Sequence, residues 1–536
     1  MSDEKIWYES IHELNIDESK VKNFYYPIKP GETIEFREGL AVKLVNLLRE
    51  LKKYENSYFD ECVASLFGII NEAVNIYYTI VLKNKLKQNN FKIIPDHKSR
   101  LLKNILINEN PDFPKILKQL IKGKDRVKKR YFLLRYLKNF LTEKKIIKNY
   151  FKLPNFEKDI ACIGYNEFLE THAKFEKKKV YYVRINEWFK KLDKPFGNDN
   201  DLNFVSNNIV EIILNEFTKN EIILDKNLKS YFKEIVNLLL FKLSLYKKSI
   251  LESEIGLPKV LWTPSGGGIF ANIFRQVCKS KGSKVVGHAH GSGTGYFSDY
   301  GRTLSILEYQ SCTEFFVYTK KNINEYIKFS RKDLVIDQQL PNIKSINSQV
   351  HWHHDKLNNF QKLFNKKERE RYILYIPSIF INDNYYDGKL IDAHNTYNWL
   401  LKVSNFLKKN NFKFKIKLHP EKKTPDKFIK YYKENICDEK LAYSIYNSSL
   451  IITDQPSSTS FSAAVVSDKP IIFLDLKVQD FSDLAWTLLK KRCSVLEGNF
   501  TKDGITINWD MFYKKILKPK TDFTNEFKNT YFENLS

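Results

Sequence analysis

Short apolar runs alternate with helical patterns through the second half of the chain, and this alternation limits the fold more than any other feature. The runs between residues 371 and 475 are RYILYIPS, FKFKIKLHP, SLIITDQ and KPIIFLD, and stretches with helical spacing separate them. Buried strands joined by helices predict a parallel sheet with helices on its faces. A similar alternation, KVLWTPS, GGGIFANIFRQVCKSKG and SKVVGHAHG, predicts a βαβ unit further upstream. The chain is therefore expected to contain two α/β domains.

The length agrees with this division, because 536 residues exceed what one ordinary core accommodates. The predicted parts are an N-terminal domain (1–335, with a helical region at 1–250 and a βαβ core at 255–320), a connector (336–370), a C-terminal domain (371–500) and a helical tail (501–536). Two α/β domains that face each other enclose a cleft, and ligands of open parallel sheets lie at the carboxyl ends of the strands.

The basic residues of the chain are unevenly distributed. The net charge is +25, and residues 114–150 contain 13 Lys or Arg against two acidic residues. Leu, Ile and Phe recur there at helical spacing, a pattern typical of helices that bind an anionic membrane surface or another polyanion. A solvated helix face is the alternative. No nucleic-acid-binding signature occurs, so no nucleic-acid partner is expected.

Several features indicate a reducing compartment. The six cysteines are scattered without a C-x-x-C pair, which predicts free thiols. The acidic start MSDEKIWYES is unlike a secretory signal. The longest apolar stretch, ASLFGIINEAVNIYYTIVL, is interrupted by Asn71, Glu72 and Asn75 and is expected to form a buried helix. We expect a cytoplasmic protein that associates peripherally with the inner face of the cytoplasmic membrane.

Two motifs at predicted strand ends indicate an anion site in the second domain. In IITDQPSSTSFSAA, the chain enters a helix beside Ser457, Ser458 and Thr459, so that free N–H groups and hydroxyls lie together. Ordinary capping of the helix is the alternative. In KLHPE, Pro420 restricts His419 to extended geometry, from which it can donate to a phosphate oxygen. The two strands are expected to be neighbours, which would bring both motifs to one phosphate.

A histidine- and glycine-rich segment, GHAHGSGTGYFSDYGR at 287–302, ends a strand of the first domain. Its spacing is G-x-G-x-G, which fits neither a dinucleotide fingerprint nor a Walker loop. We interpret it as presenting a histidine, His288 or His290, to the cleft as a general base or a substrate ligand. A glycine turn beside a buried histidine is the alternative. The predicted loop residues that line this side of the cleft are Gly291, Ser292, Gly293, Ser265 and Gly266.

No metal site or cofactor is expected. The HWHHD segment at 351–355 lacks a second ligand cluster at suitable spacing. The NDNYYDG segment at 382–388 lacks the pattern of a calcium loop.

The motifs quoted above resemble those of GT-B glycosyltransferases that use cytidine-activated donors. These include bacterial polysialyltransferases, capsule Kdo transferases and CDP-glycerol glycerophosphotransferases. In those families an HP motif and a downstream serine pair contact the nucleotide phosphate, and here they correspond to His419–Pro420 and Ser457–Ser458. The HAHGSGTGY segment is similar to their HG loop, which makes His290 the expected base. The resemblance covers roughly residues 255 to 480 and implies two Rossmann-like domains facing a cleft.

The resemblance implies an inverting, metal-independent transfer of Kdo or another ulosonic acid from a CMP-activated donor. The acceptor would be a surface glycan or a lipid-linked molecule of lipopolysaccharide or capsule synthesis. The predicted donor-binding residues are His419, Pro420, Glu421, Ser457, Ser458, Thr459 and Ser378. The alternatives are a CDP-glycerol-type or UDP-sugar transferase, a UDP-sugar epimerase of the same fold, and a non-catalytic polyanion-binding protein.

Overall fold

The computed structural model of the chain describes residues 6–8, 33–94, 160–164, 166–183, 185–188, 199–264, 268–289, 295–299, 304–346, 371–378, 393–419, 424–501 and 504–532. The basic stretch 114–150 and the HWHHD and NDNYYDG segments lie outside the described residues, so the predictions made on them stay predictions. The same holds for part of the predicted site, namely Ser265, Gly266, His290, Gly291, Ser292, Gly293, Pro420 and Glu421.

A six-stranded and a five-stranded parallel sheet, two two-stranded sheets and a group of N-terminal helices make up the described fold. The first part of the chain forms β1 (Ile6–Tyr8), α1 (Ile34–Lys53), α2 (Phe59–Gln88), β2 (Lys92–Ile94), β3 (Ile160–Cys162), α3 (Glu167–Phe175), β4 (Val180–Tyr182), α4 (Asp199–Lys219), α5 (Lys226–Leu251), β5 (Val260–Thr263), α6 (Ile269–Ser280), β6 (Lys284–His288), β7 (Glu314–Val317), α7 (Lys320–Phe329) and β8 (Asn342–Ser345). The second part forms β9 (Tyr372–Ile376), α8 (Ala393–Lys409), β10 (Phe414–Ile416), α9 (Asp426–Tyr431), α10 (Leu441–Asn447), β11 (Ser448–Thr453), α11 (Thr459–Val466), β12 (Ile471–Asp475), α12 (Asp483–Arg492), β13 (Ser494–Glu497), β14 (Asn499–Thr501), β15 (Gly504–Thr506), α13 (Trp509–Leu517) and α14 (Glu526–Tyr531).

Helices α1, α2, α4 and α5 pack around one apolar core, in agreement with the helical pattern of the N-terminal region. Phe36 of α1 stacks on Tyr77 of α2 with ring centroids 4.2 Å apart and meets Phe217 of α4 edge-on. Asp225 caps α5 by accepting a hydrogen bond from Leu228 N at 2.8 Å. The amphipathic faces of these helices are thus covered by one another.

Helix α2 contains the apolar stretch that was expected to be a buried helix. Its length and composition are sufficient to cross a membrane, and most of its apolar stretch is buried within the protein. It packs against α1, α5 and α6. The carboxylate of Glu72 on α2 accepts a hydrogen bond from Tyr231 OH on α5 at 2.6 Å, which gives this polar side chain a partner inside the helical core.

The first sheet has six parallel strands in the order β4-β3-β5-β6-β7-β8. Leu261 and Val285 enter the core on one face of the sheet, and Trp262 and Val286 enter the core on the other. Because successive side chains of a strand point to opposite faces, this alternation buries the sheet on both sides. The predicted βαβ unit is β5, α6 and β6.

Strand β8 lies in the stretch that was expected to be a connector. It pairs in parallel with β7, so the first sheet extends beyond residue 335. Its sequence, Asn-Ile-Lys-Ser, has one apolar residue and forms the edge of the sheet. An edge strand of this composition carries no hydrophobic pattern from which it can be predicted.

The second sheet has five parallel strands in the order β10-β9-β11-β12-β13. All four strands predicted between 371 and 475 are present, and the prediction of an α/β fold with two main parallel sheets and a helical N-terminal region is confirmed. One expectation is wrong: β10 and β11 are not neighbours, because β9 lies between them. The chain adds β10 on one side of β9 and then crosses to the other side for β11, which makes a topological switch point.

The last helices pack on both domains. Phe512 and Ile516 of α13 belong to the core of the second domain. Helix α14 packs against α12 and also against α7 of the first domain. Thr319 Oγ1, at the start of α7, donates a hydrogen bond to Thr530 O of α14 at 2.6 Å. The end of the chain therefore connects the two domains.

Candidate functional site

The switch point of the second sheet lies between β9 and β11. In open parallel sheets, ligands bind outside the carboxyl ends of the strands at such a point. Ser378 follows the end of β9 and Asp454 follows the end of β11, while His419 follows β10, the next strand out. The predicted histidine and serine motifs therefore lie at one edge of one sheet, with Ser378 between them.

Asp454 is fully buried at this edge and accepts three side-chain hydrogen bonds. The donors are Ser378 Oγ at 2.9 Å, Tyr375 OH at 2.9 Å and Trp399 Nε1 at 2.7 Å. Burial raises the pKa of Asp454 to about 6, and the three hydrogen bonds oppose that rise. The carboxylate thereby fixes the Ser378 hydroxyl and ties β9 and α8 to the end of β11.

Ser458 is the N-cap of α11. Its Oγ accepts a hydrogen bond from Phe461 N at 3.1 Å and donates one to Gln455 O at 2.9 Å. Ser457 Oγ accepts from Gln455 Nε2 at 2.7 Å, so its own proton remains able to donate. Thr459 is exposed. Ser458 thus performs ordinary capping, whereas Ser457, Thr459 and the first N–H groups of the helix provide further donors for an anion.

His419 is exposed at the end of β10. Two residues earlier, Lys417 Nζ donates a hydrogen bond to Cys437 O at 3.2 Å, which ties the end of this strand to the segment that follows α9. The placement gives the imidazole access to solvent at the same edge as the serine loop. Its role as a phosphate ligand stays a prediction.

His288 ends β6 of the first sheet, and its ring is fully buried. Its Nδ1 lies 3.2 Å from Thr263 O and its Nε2 lies 2.9 Å from His172 Nδ1. Since a carbonyl only accepts, Nδ1 of His288 carries the proton and Nε2 accepts from His172. Burial and the neighbouring His172 lower the pKa of His288 to about 3, so the ring is neutral at pH 7. Both nitrogens are engaged inside the core, and a catalytic role for His288 stays a prediction.

Asn166 ties together the ends of β5 and β6. Its Oδ1 caps α3 by accepting from Leu169 N at 2.6 Å. Its Nδ2 donates to Pro264 O at 3.1 Å and to Ala289 O at 3.4 Å, immediately before the predicted glycine-rich loops. Sequence reasoning missed this residue because asparagine is an ordinary cap and no local pattern shows which distant carbonyls it reaches.

The carboxyl edges of the two sheets meet through residues 295–299. Tyr296 OH donates a hydrogen bond to Pro456 O in the serine loop at 2.6 Å. Ser482 N donates to Tyr296 O at 2.9 Å, and Ser298 N donates to Asp480 O at 2.7 Å. The later part of the histidine- and glycine-rich segment of the first domain is therefore packed on the candidate anion site of the second.

The six cysteines are all buried and form no disulfide, which confirms the prediction of free thiols. Within the described parts of the chain, no group of three or more His, Cys, Asp or Glu side chains is placed to hold a metal ion.

No protein-family model matches the chain, and no curated protein matches it significantly. Solved structures that match the chain include a glycosyltransferase from Rickettsia africae ESF-5, with 11% identity over 67% of this chain and 87% of that chain and a TM-score of 0.32. They also include UDP-GlcNAc 2-epimerase from Methanocaldococcus jannaschii in complex with UDP-GlcNAc and UDP, with 11% identity over 69% and 97% of the two chains and a TM-score of 0.35. A second structure of that epimerase has 13% identity, the same coverage and a TM-score of 0.32.

Proposed function

We propose that the protein is a glycosyltransferase that moves a sugar from a nucleotide-activated donor to an acceptor hydroxyl. The observation that carries this proposal is the edge of the second sheet at its switch point, where Ser378, His419 and the Ser457–Ser458 loop follow three successive strands. Hydroxyls and helix N–H groups bind phosphate oxygens, and the partial positive charge of a helix start favours an anion. An imidazole beside a phosphate has a raised pKa and adds positive charge.

The proposed chemistry is an inverting displacement at the anomeric carbon. A base, assigned to His290, takes the proton of the acceptor hydroxyl while its oxygen forms the new glycosidic bond. The bond from the anomeric carbon to the donor phosphate breaks, and its electron pair leaves with the phosphate. The serine loop, the helix start and His419 stabilise the negative charge that develops on that phosphate, which is how the reaction would proceed without a metal ion.

The proposed donor is a CMP-activated ulosonic acid such as Kdo, and the acceptor is a surface glycan or lipid-linked molecule. The cytidine assignment is supported by the resemblance of the HP motif and the serine pair to cytidine-donor enzymes. The contact between the carboxyl edges of the two sheets is consistent with a donor on the second sheet and an acceptor beside the first.

Nucleotide binding by Ser458→Ala, compared with Asn508→Ala, tests this proposal. Both variants remove an N-cap in the second domain, since Asn508 Oδ1 accepts from Met511 N at 2.9 Å at the start of α13. Each is expected to lower stability by about 1 kcal/mol. Only Ser458→Ala is expected to weaken CMP binding, by about tenfold. The lost cap holds the loop in which Ser457, Thr459 and the first N–H groups of the helix are the proposed donors to the phosphate. Equal CMP affinities of the two variants and the wild type would contradict the proposal.

Peripheral binding to an anionic membrane is a further part of the proposal, and the basic stretch 114–150 supports it. Flotation with vesicles of phosphatidylcholine alone and with added phosphatidylserine tests it. We expect co-flotation only with the anionic vesicles, and no preference between the two would contradict it.

A further inference from the structure

Tyr296 belongs to the first domain by its position in the chain but is packed inside the second. The last described contact before it with the first sheet is Ala289 N, which donates to Phe316 O at 2.9 Å. Tyr296 is fully buried and lies in the same apolar cluster as Phe461 of α11 and Phe473 of β12. The first domain therefore supplies part of the core that supports the serine loop.

Aromatic rings from several parts of the second domain surround Tyr296. The ring stacks on Phe481 with centroids 5.9 Å apart and meets Phe527 and Tyr531 of α14, each at 5.5 Å. Phe297 forms an antiparallel β-bridge with Phe481. The backbone hydrogen bonds of Tyr296 and Ser298 on either side of it fix the segment further. The side chain is thus held in one position, so that its hydroxyl is directed at a backbone acceptor.

That acceptor is the carbonyl oxygen of Pro456, at 2.6 Å. A trans peptide is planar, and its C=O and N–H point in opposite directions. The hydrogen bond that holds the Pro456 carbonyl toward Tyr296 therefore turns the N–H of Ser457 away from the aromatic cluster. Ser457 and Ser458 begin the loop that the proposed function assigns to the donor phosphate.

The approach of the chain to Tyr296 is also constrained. Gly295 has φ +96°, a left-handed conformation that favours glycine. A Cβ at this position would lie 1.9 Å from Asn322 Oδ1 and 2.4 Å from Tyr326 Cε2. Helix α7 of the first domain therefore determines where the segment enters the second domain.

We propose that Tyr296 is a positioning residue for the donor loop: its hydroxyl orients the Pro456–Ser457 peptide so that the loop binds the donor phosphate, and nucleotide affinity of the second domain thereby depends on a residue of the first. The inference rests on the proposed function, which places the phosphate at this loop. Tyr296 does not itself contact the substrate.

The test is Tyr296→Phe, with Tyr372→Phe as the matched control. Tyr372 is also buried, belongs to the same apolar cluster, and donates its hydroxyl to a backbone carbonyl, Ser444 O, at 3.2 Å. It lies at the amino end of β9, away from the serine loop. Titration calorimetry with CMP and CDP is combined with urea unfolding of both variants and the wild type.

We expect both variants to lose similar stability, whereas only Tyr296→Phe weakens CMP and CDP binding, by about tenfold. Amide hydrogen exchange over residues 453–466 gives a second measurement, which is expected to be faster in Tyr296→Phe alone. Wild-type affinity and unchanged exchange in Tyr296→Phe would overturn the inference, as would equal losses of affinity in both variants. If the wild type binds nucleotide and Ser458→Ala weakens it while Tyr296→Phe does not, only this inference fails. If the wild type binds neither CMP nor CDP, the proposed function fails and this inference fails with it.

Discussion

Tyr375→Phe is expected to destabilise the protein more at alkaline than at acidic pH, because its hydroxyl donates to the buried carboxylate of Asp454. Burial raises the pKa of Asp454 to about 6 in the folded protein, above its ordinary value of 3.8. The folded state therefore binds a proton more tightly than the unfolded state, and stability falls as pH rises through this interval, by about 3 kcal/mol in total. Hydrogen bonds from Tyr375, Ser378 and Trp399 limit that loss by stabilising the ionised form.

The magnitude follows from the charge of the acceptor. A hydrogen bond to a neutral acceptor contributes about 1 kcal/mol, and one to a charged acceptor about 2 kcal/mol. Tyr375→Phe is thus expected to cost about 2 kcal/mol near pH 8, where Asp454 is ionised, and about 1 kcal/mol near pH 5, where it is mostly protonated. The control is Tyr372→Phe, in the same strand as Tyr375. It loses a hydrogen bond to the neutral carbonyl of Ser444 in α10, and its cost of about 1 kcal/mol should not change with pH.

Urea unfolding at both pH values measures these costs. The shift of the unfolding midpoint gives the change in the free energy of unfolding when the slope of that free energy against urea concentration is unchanged. A penalty for Tyr375→Phe that is the same at both pH values would refute the reasoning. It would mean either that Asp454 does not titrate in this interval or that the hydroxyl does not stabilise its charge.

Two further substitutions test the packing on which the site depends. Gly295→Ala is expected to lower the free energy of unfolding by more than about 3 kcal/mol, because the alanine would have a left-handed conformation and would also clash with Asn322. The control Gly282→Ala has φ +87° and open space around it, and should cost about 1 kcal/mol. Thermal unfolding measures both. Lys247→Met leaves the buried carboxylate of Glu61 without its partner at 3.2 Å and should cost about 3–5 kcal/mol near pH 8. Burial raises the pKa of Glu61 to about 7, so this penalty should shrink near pH 5, where the group is neutral; a pH-independent penalty would contradict the assignment.

The second domain could be predicted from sequence because parallel strands covered on both faces are short apolar runs, and helices separate them along the chain. The order of those strands could not, since it depends on which side of β9 each crossover packs. The histidine and serine motifs were therefore expected on adjacent strands, although β9 and its Ser378 lie between them.

The residues that support the site, Asp454 and Tyr296, could not be predicted from local sequence because their partners lie far away along the chain. Asp454 is part of the TDQPSS motif, but its donors Tyr375 and Trp399 lie 79 and 55 residues away. An acidic residue directly after an apolar strand is a signal that could have identified it. Tyr296 carries no such signal, because its environment in the second domain is created by tertiary contacts with Phe481 and α14.

Titration calorimetry with CMP, CDP, UDP and GDP on the wild type and His419→Ala tests the central claim most directly, namely that the edge beyond β10, β9 and β11 binds the phosphate of a cytidine-activated donor. We expect CMP and CDP to bind in preference to UDP and GDP, and His419→Ala to weaken CMP by about tenfold through loss of a charged donor. A preference for UDP would contradict the cytidine assignment while leaving the site in place. Failure of all four nucleotides to bind the wild type would contradict the claim itself.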